Sequence, residues 1–275
     1  MKKFGIVSNE IKDPQMQVAE RICAYLVNHG AECVTVKDAQ ELSTDVECVL
    51  VLGGDGTLLQ AAGGIAGKNI LMIGVNLGTL GYLAEIELDN LEEALNQLLL
   101  DDYVLDERIM LQGRIVTKEG VKDISPALND ISITRCGSLQ IITLKIYVNG
   151  QFLCGWNADG IIISTPTGST GYNMSAGGPI VEPSANLIVL TPICAHTLNA
   201  RSIILKAEDI VEIEIDSGHN GVMLQVEANS DGNERVSMET GDKIFISKAE
   251  NTTKIIKLRK VSFLEILNKK MGDIQ

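Results

Sequence analysis

Apolar positions in the first hundred residues alternate between two periods. Unbroken apolar runs at Cys48–Leu52 and Ile70–Val75 predict buried strands, and Lys3–Ser8 and Cys33–Val36 read as shorter ones. Between them, Val18, Ile22, Tyr25 and Leu26 recur at helical spacing. Asp13-Pro14 predicts the cap and first helical position of that helix, and His29-Gly30 its stop. Thr57–Ala66 predicts a second helix, and Leu91–Leu100 an amphipathic third with acidic residues at its start. Strands separated by helices imply parallel pairing, so this region is expected to be an α/β domain with a Rossmann-like sheet.

The pattern changes near Asp101–Asp106. From Arg108 to Lys257 short strands dominate. Ile141–Val148 and Gln151-Phe152 flank Asn149-Gly150, a strong two-residue hairpin signal. Ile161–Ser164, Ile203–Leu205, Val211–Ile215, Val222–Val226, Lys243–Ser247 and Lys254–Leu258 continue the series. Ser262–Lys270 returns to helix, with Ser262 as cap and Phe263, Ile266 and Leu267 on one face. The expected organisation is an α/β domain over 1–103, a β-rich, sandwich-like domain over 104–258, and a C-terminal segment, 259–275, packing back on the first domain.

A net charge of −13 argues against a basic nucleic-acid-binding face. A polyanionic small ligand would then have to be met by backbone N–H groups, a metal ion and a few local cations. Aromatics are only 4% of the chain, so the cores must rest on Ile, Val, Leu and Ala. The six cysteines, Cys23, Cys33, Cys48, Cys136, Cys154 and Cys194, form no C-x-x-C pair and mostly sit in apolar runs, as reduced core thiols do. No signal-peptide core and no bilayer-length apolar run is present, so a cytoplasmic location is expected.

Four segments carry chemistry. Gly53-Gly54-Asp55-Gly56-Thr57 directly follows a buried strand. Glycines there are expected to adopt positive φ and bare their N–H groups to a phosphate, with Thr57 beside them and the Asp55 carboxylate held at the strand's C-terminal edge. The helix opening at Thr57 would add the positive end of its dipole. Gly74–Leu83, with Gly74, Gly78 and Gly81, predicts a loop that approaches something closely. Asn129-Asp130 places an amide and an acid side by side at the start of an apolar strand, able to accept from ribose hydroxyls and donate to a base edge. From Asp159-Gly160 through Ser164–Ser175 to Gly177-Gly178-Pro179, hydroxyls and glycines crowd a loop that suits a ligand rich in hydroxyls and phosphates. The P-loop pattern fails: Ala62 stands where the first glycine should be and Asn69 where Ser or Thr should be. The dinucleotide fingerprint fails at Leu59. His29, His196 and His219 are isolated, and no metal-ligand spacing is seen.

In this order and roughly at these separations, Gly53–Thr57, Asn129-Asp130, Asp159-Gly160 and Ser164–Ser175 ending in Gly177-Gly178-Pro179 resemble the NAD kinase family, across essentially the whole chain. Gly53–Thr57 alone is shared with diacylglycerol-type lipid kinases and resembles a phosphofructokinase motif, whereas Thr165–Thr170 with Tyr172-Asn173 is far more specific. The resemblance implies transfer of the ATP γ-phosphoryl group to the adenosine ribose 2′-hydroxyl of NAD, a divalent cation such as Mg²⁺, and a homodimer or homotetramer. It implies Asp55 as catalytic base with Gly56 beside it, and Asn129 and Asp130 as the pair holding the adenosine part. Asp159, Thr170, Gly171, Tyr172, Asn173, Met174 and Ser175 would supply further contacts, as would the positions of Asn157, Cys194 and Asn233. Three positions depart from the family pattern: Asn157 where a basic residue is frequent, Asn233 where Gln is usual, and Gly171 where Ala is frequent.

Two rivals are weaker. A lipid kinase would need an apolar entrance or a basic membrane face, and the chain has no basic amphipathic helix. A non-catalytic nucleotide sensor would be expected to have lost the acid, and Asp55 is intact.

Overall fold

The computed structural model describes residues 1–78, 81–137, 141–196, 199–217, 223–258 and 262–272. His219 and Val222, named above, and positions 79 and 80 of the Gly74–Leu83 stretch lie outside them. Two compact units form: Met1–Arg108 with Thr252–Gln275, and Ile109–Asn251.

In chain order the first unit contains β1 (Lys3–Ser8), α1 (Gln17–Asn28), β2 (Glu32–Val36), β3 (Cys48–Gly53), α2 (Asp55–Ile65), β4 (Leu71–Asn76), β5 (Ala84–Glu87), α3 (Leu91–Leu99) and β6 (Val104–Arg108). The second unit contains β7 (Leu111–Thr117), β8 (Gly120–Ala127), β9 (Asp130–Arg135), β10 (Ile142–Val148), β11 (Gln151–Ala158), β12 (Gly160–Ser164), α4 (Tyr172–Ser175), β13 (Leu187–Ile193), β14 (Ile203–Lys206), β15 (Val211–Asp216), β16 (Gln225–Ser230), β17 (Glu234–Glu239) and β18 (Lys243–Lys248). The chain then returns to the first unit with β19 (Thr253–Lys257) and α5 (Phe263–Gly272).

The first sheet runs β2-β1-β3-β4-β19-β6, with β5 also on β4. β1 to β4 are mutually parallel. All six residues of β3 are buried, as expected of a strand covered on both faces. One face carries Leu50 and Leu52 into a core with Ile22, Leu26 and Leu95, from α1 and α3. On the other face Gly74 lies against Leu58 of α2, leaving no room for a side chain. The strand expected at Lys254–Leu258 forms as β19 but joins this first sheet, pairing Ile255 with Met72 in parallel and Thr253–Lys257 with β6 in antiparallel. β6 likewise belongs here rather than to the β-rich unit. Periodicity identifies a strand but carries no record of its partner.

The second unit is two six-stranded antiparallel sheets among the described residues, β11-β10-β15-β18-β7-β8 and β14-β13-β12-β9-β16-β17. Alternation is clean on β15, where Val211, Ile213 and Ile215 are buried. They meet Ile131, Ile133, Ile161 and Ile163 of the other sheet in one apolar core. Asn149 and Gly150 both take positive φ, 51° and 78°, as the predicted hairpin turn requires. The strand expected at Val222–Val226 is displaced and starts at Gln225. Among the described residues no helix is long and apolar enough to cross a membrane.

The first helix starts later than Asp13-Pro14 predicts. Gln15 and Met16 have φ of 61° and 56°, which breaks the chain before α1 begins at Gln17. Asp13 still caps it, from across that kink. Its carboxylate accepts the N–H groups of Val18 (2.9 Å) and Ala19 (3.1 Å) and the Ser8 hydroxyl (3.0 Å). Because Asp13 is buried, Asp13→Ala leaves those donors unpaired. The variant is expected to lose about 2 kcal/mol in urea denaturation, with an unchanged slope.

Candidate active site

β3 delivers the acidic glycine turn to the C-terminal edge of the parallel sheet, level with Asn76 at the end of β4. Gly54 is the N-cap of α2 and Asp55 its first residue, so the helix opens two residues earlier than expected. The glycines of the turn do not adopt positive φ; Gly54 is extended at φ −119° and ψ −174°. Close contact explains Gly53 instead, where a Cβ would overlap the Thr57 side chain; one on Gly54 would stand 2.9 Å from Lys12 Nζ, the tip of an exposed, flexible side chain that can move aside. A Cβ on Gly56 would meet nothing within 4 Å. The Gly54 carbonyl accepts the N–H groups of Thr57 (3.0 Å) and Leu58 (3.2 Å). Helix geometry leaves those of Asp55 and Gly56 without an intrahelical acceptor.

The second glycine-rich stretch closes on the Asp55 carboxylate. Tyr82 N–H donates to Oδ2 at 2.9 Å and Leu83 N–H to Oδ1 at 3.1 Å. Any Cβ on Gly81 would overlap Oδ1. Two backbone bonds thus fix the acid's rotamer while each oxygen keeps a free lone pair. The phenol of Tyr82 is shifted upward by partial burial and by the Asp55 charge.

Lys12 went unnoticed in the sequence, because an exposed lysine in a polar loop carries no signal. The structure holds its loop against the glycine turn. Asn9 N–H donates to the Leu52 carbonyl (3.0 Å) and Asn9 Nδ2 to Thr57 Oγ1 (3.3 Å), while Asn9 Oδ1 accepts Lys12 N–H (3.2 Å). Lys12 Nζ is 3.8 Å from where a Cβ on Gly78 would stand, so it overhangs both Gly54 and Gly78.

In the second unit, the tripeptide Leu128-Asn129-Asp130 is clamped from two sides. The Asp231 carboxylate accepts its three successive N–H groups at 2.6, 2.9 and 3.0 Å. Thr165 donates its N–H to the Asn129 carbonyl (2.8 Å) and its hydroxyl to the Leu128 carbonyl (2.6 Å). Gly168 packs directly on the Asn129 backbone, where any side chain would collide. Asn129 Oδ1 is buried with no hydrogen-bond partner. Asp130 is 7% exposed. Burial, and secondly the Asp231 charge, push its carboxyl up to about 7; burial raises Asp231 to about 6 against the opposing pull of its three N–H donors.

The hydroxyl- and glycine-rich segment covers the outer face of β12, which is why all five residues of that strand are buried. Asn173, expected as a ligand contact, is turned inward instead. Its Nδ2 donates to the Ser169 (3.1 Å) and Pro179 (3.0 Å) carbonyls, and its Oδ1 accepts the Thr191 hydroxyl (2.7 Å). Gly178 has to be glycine because its Cβ would strike that amide. Tyr172, Met174 and Ser175 remain exposed, and Thr170 and Gly171 half-buried. The Tyr172 phenol is raised by partial burial and, secondarily, by the Asp130 charge. Asp159 is held by Arg135 Nε at 2.8 Å. Asn157 Oδ1 accepts the Thr143 hydroxyl at 2.9 Å. Asn233 is exposed in the turn after Asp231.

Residues 35–103 match the family model for the ATP-NAD kinase N-terminal domain, and residues 128–258 that for the C-terminal domain. The chain belongs to the NAD kinase family. It is 45% identical to an NAD kinase of Agathobacter rectalis, over 99% of each chain, and 44% identical to one of Lachnospira eligens, over 98% of this chain and 100% of the relative. Its fold matches a yeast NADH kinase crystallised with NADH at a TM-score of 0.89 and 22% identity, covering 99% of this chain and 88% of that one. It also matches an Archaeoglobus fulgidus NAD kinase in complex with ATP at 0.79 and 22%, covering 99% and 100%.

The Asp130 carboxyl yields a prediction about the unliganded protein. A carboxyl raised from an ordinary value near ~3.9 stabilises the fold only while protonated. That contribution is complete below about pH 4 and is lost as pH rises through about 7. Asp130→Asn removes the loss. Its stability relative to the wild type is expected to rise by on the order of 2 kcal/mol between pH 5 and pH 8. Denaturant titrations at the two pH values measure this, and a constant gap contradicts it.

Proposed function

We propose that this chain transfers the γ-phosphoryl group of ATP to the 2′-hydroxyl of the adenosine ribose of NAD, giving NADP, with Asp55 as general base. The family membership supports the reaction, and the carboxylate fixed by Tyr82 and Leu83 N–H supports the role of Asp55. In this reading Asp55 is the base and Gly53–Thr57 the phosphate turn, and Asn129 and Asp130 hold the nucleoside. Asn173 holds the covering segment in shape rather than touching substrate.

Phosphoryl transfer depends on positioning and charge neutralisation more than on covalent chemistry. The free N–H groups at the start of α2 and the Lys12 ammonium are the groups of the first unit suited to phosphate oxygens. Mg²⁺ enters as part of the nucleotide substrate and screens the triphosphate. Such an ion typically binds through phosphates and one or two carboxylates, and no three His, Cys, Asp or Glu side chains gather among the described residues. Asp55 accepts the hydroxyl proton as the phosphorus–oxygen bond forms. Its two amide donors keep the reactive oxygen oriented and spare that reorientation at each turnover. A cytoplasmic location and a homodimeric or homotetrameric assembly complete the proposal.

Purified protein incubated with NAD, ATP and Mg²⁺ is expected to form NADP. Asp55→Asn is expected to lower kcat by about 10²–10⁴-fold, with both KM values within a few fold. Unaltered turnover in that variant would remove Asp55 from the base role. Lys12→Gln is expected to raise the KM for ATP about tenfold and leave that for NAD near its original value, since one phosphate-directed charge is worth on the order of 1–2 kcal/mol. Equal rises in both would end the assignment of Lys12 to the phosphates.

A further inference from the structure

We infer that Asp231 is the positioning residue of the nucleoside-holding pair: its carboxylate, without touching substrate, sets the backbone from which Asn129 and Asp130 reach NAD. This deepens the functional proposal above and rests on its assignment of Asn129 and Asp130.

Consecutive polar side chains in a regular strand point to opposite faces, so an Asn-Asp pair shares a ligand only where the backbone is reshaped. Asp231 does the reshaping. Three successive N–H groups converge on one carboxylate, at 2.6 Å from Leu128 and at 2.9 and 3.0 Å from Asn129 and Asp130. A strand's N–H groups alternate in direction, so this convergence requires a turn in the backbone at Asn129. Asp231 N–H returns the contact, donating to the Asp130 carbonyl at 3.1 Å. With Thr165 holding the Leu128 and Asn129 carbonyls, the tripeptide's backbone polar groups are satisfied within the protein. The side chains stay uncommitted, and Asn129 Oδ1 is buried without a partner. Asp231 itself has φ of 49° and is followed by Gly232 at 74°, a left-handed pair that turns the carboxylate back over the tripeptide. Serine, asparagine or glutamine could not replace it, because each brings a donor or the wrong reach to a place ringed by donors.

The test uses the full chain. Asp231→Asn faces the three N–H groups with an amide that has one acceptor oxygen and a donor NH₂. The variant is expected to raise the KM for NAD about tenfold, with the KM for ATP within twofold and kcat within threefold. A general loss of folded protein would lower activity without moving either KM. In an Asn129→Ala background, where that contact is already lost, Asp231→Asn is expected to add less than twofold to the KM for NAD. A KM for NAD that is unchanged, that rises in step with the KM for ATP, or that rises tenfold again in the Asn129→Ala background overturns the assignment. Hydrogen exchange at the amides of residues 128–130 reads the clamp without substrate. In the wild type these amides are expected to be protected like those of β9, and in Asp231→Asn to exchange at least tenfold faster. Should Asp231→Asn not fold, the wild-type measurement decides: free-loop exchange overturns the assignment and strand-like protection sustains it. Absence of NADP formation by the wild type would instead condemn the functional reading.

Discussion

An amide N–H that leaves the regular ladder of a sheet needs an acceptor, and leaving it bare in a half-buried place costs about 1–3 kcal/mol. This chain meets that constraint repeatedly with aspartate. Asp13 takes two N–H groups at the start of α1, Asp55 takes two from the stretch after β4, and Asp231 takes three ahead of β9. An ionised carboxylate is an acceptor only, with four lone pairs, so it gathers several donors that a hydroxyl or amide would partly repel. The site geometry depends on these gatherings. Without them the glycine-rich turns have no reason to hold one shape.

The same interaction separates two kinds of acid. Asp55 is half-buried and keeps free lone pairs after its two bonds. Asp130 is enclosed, near a second carboxyl, and its charged form is disfavoured.

Local chemistry was legible in the sequence and distant partnership was not. Asn149-Gly150 specifies its hairpin by itself, since both residues tolerate the positive φ the turn demands. β3 declares its burial in five consecutive apolar residues. β19 also looked like a strand, but nothing in Thr253–Lys257 names Met72 as the neighbour of Ile255. In the acidic turn Gly53 is required because Thr57 crowds it, a contact four residues on, and none of the turn's glycines has a positive φ. Asn173 has the composition of a ligand contact and the surroundings of a core residue, a difference set by Thr191 and Pro179. The Asp231 clamp joins residues a hundred positions apart, beyond any local pattern.

The pairing of β6 with β19 brings Arg108 opposite Thr253, so the chain departs for the second unit and comes back at one point of the first sheet. The intervening Ile109–Asn251 is thus a cassette spliced into a host whose two ends already meet. Closing the host over the gap takes only a few residues, and the entropy of closing so short a loop is small. A bridged host lacking the cassette, and the cassette alone, become natural objects for separate expression.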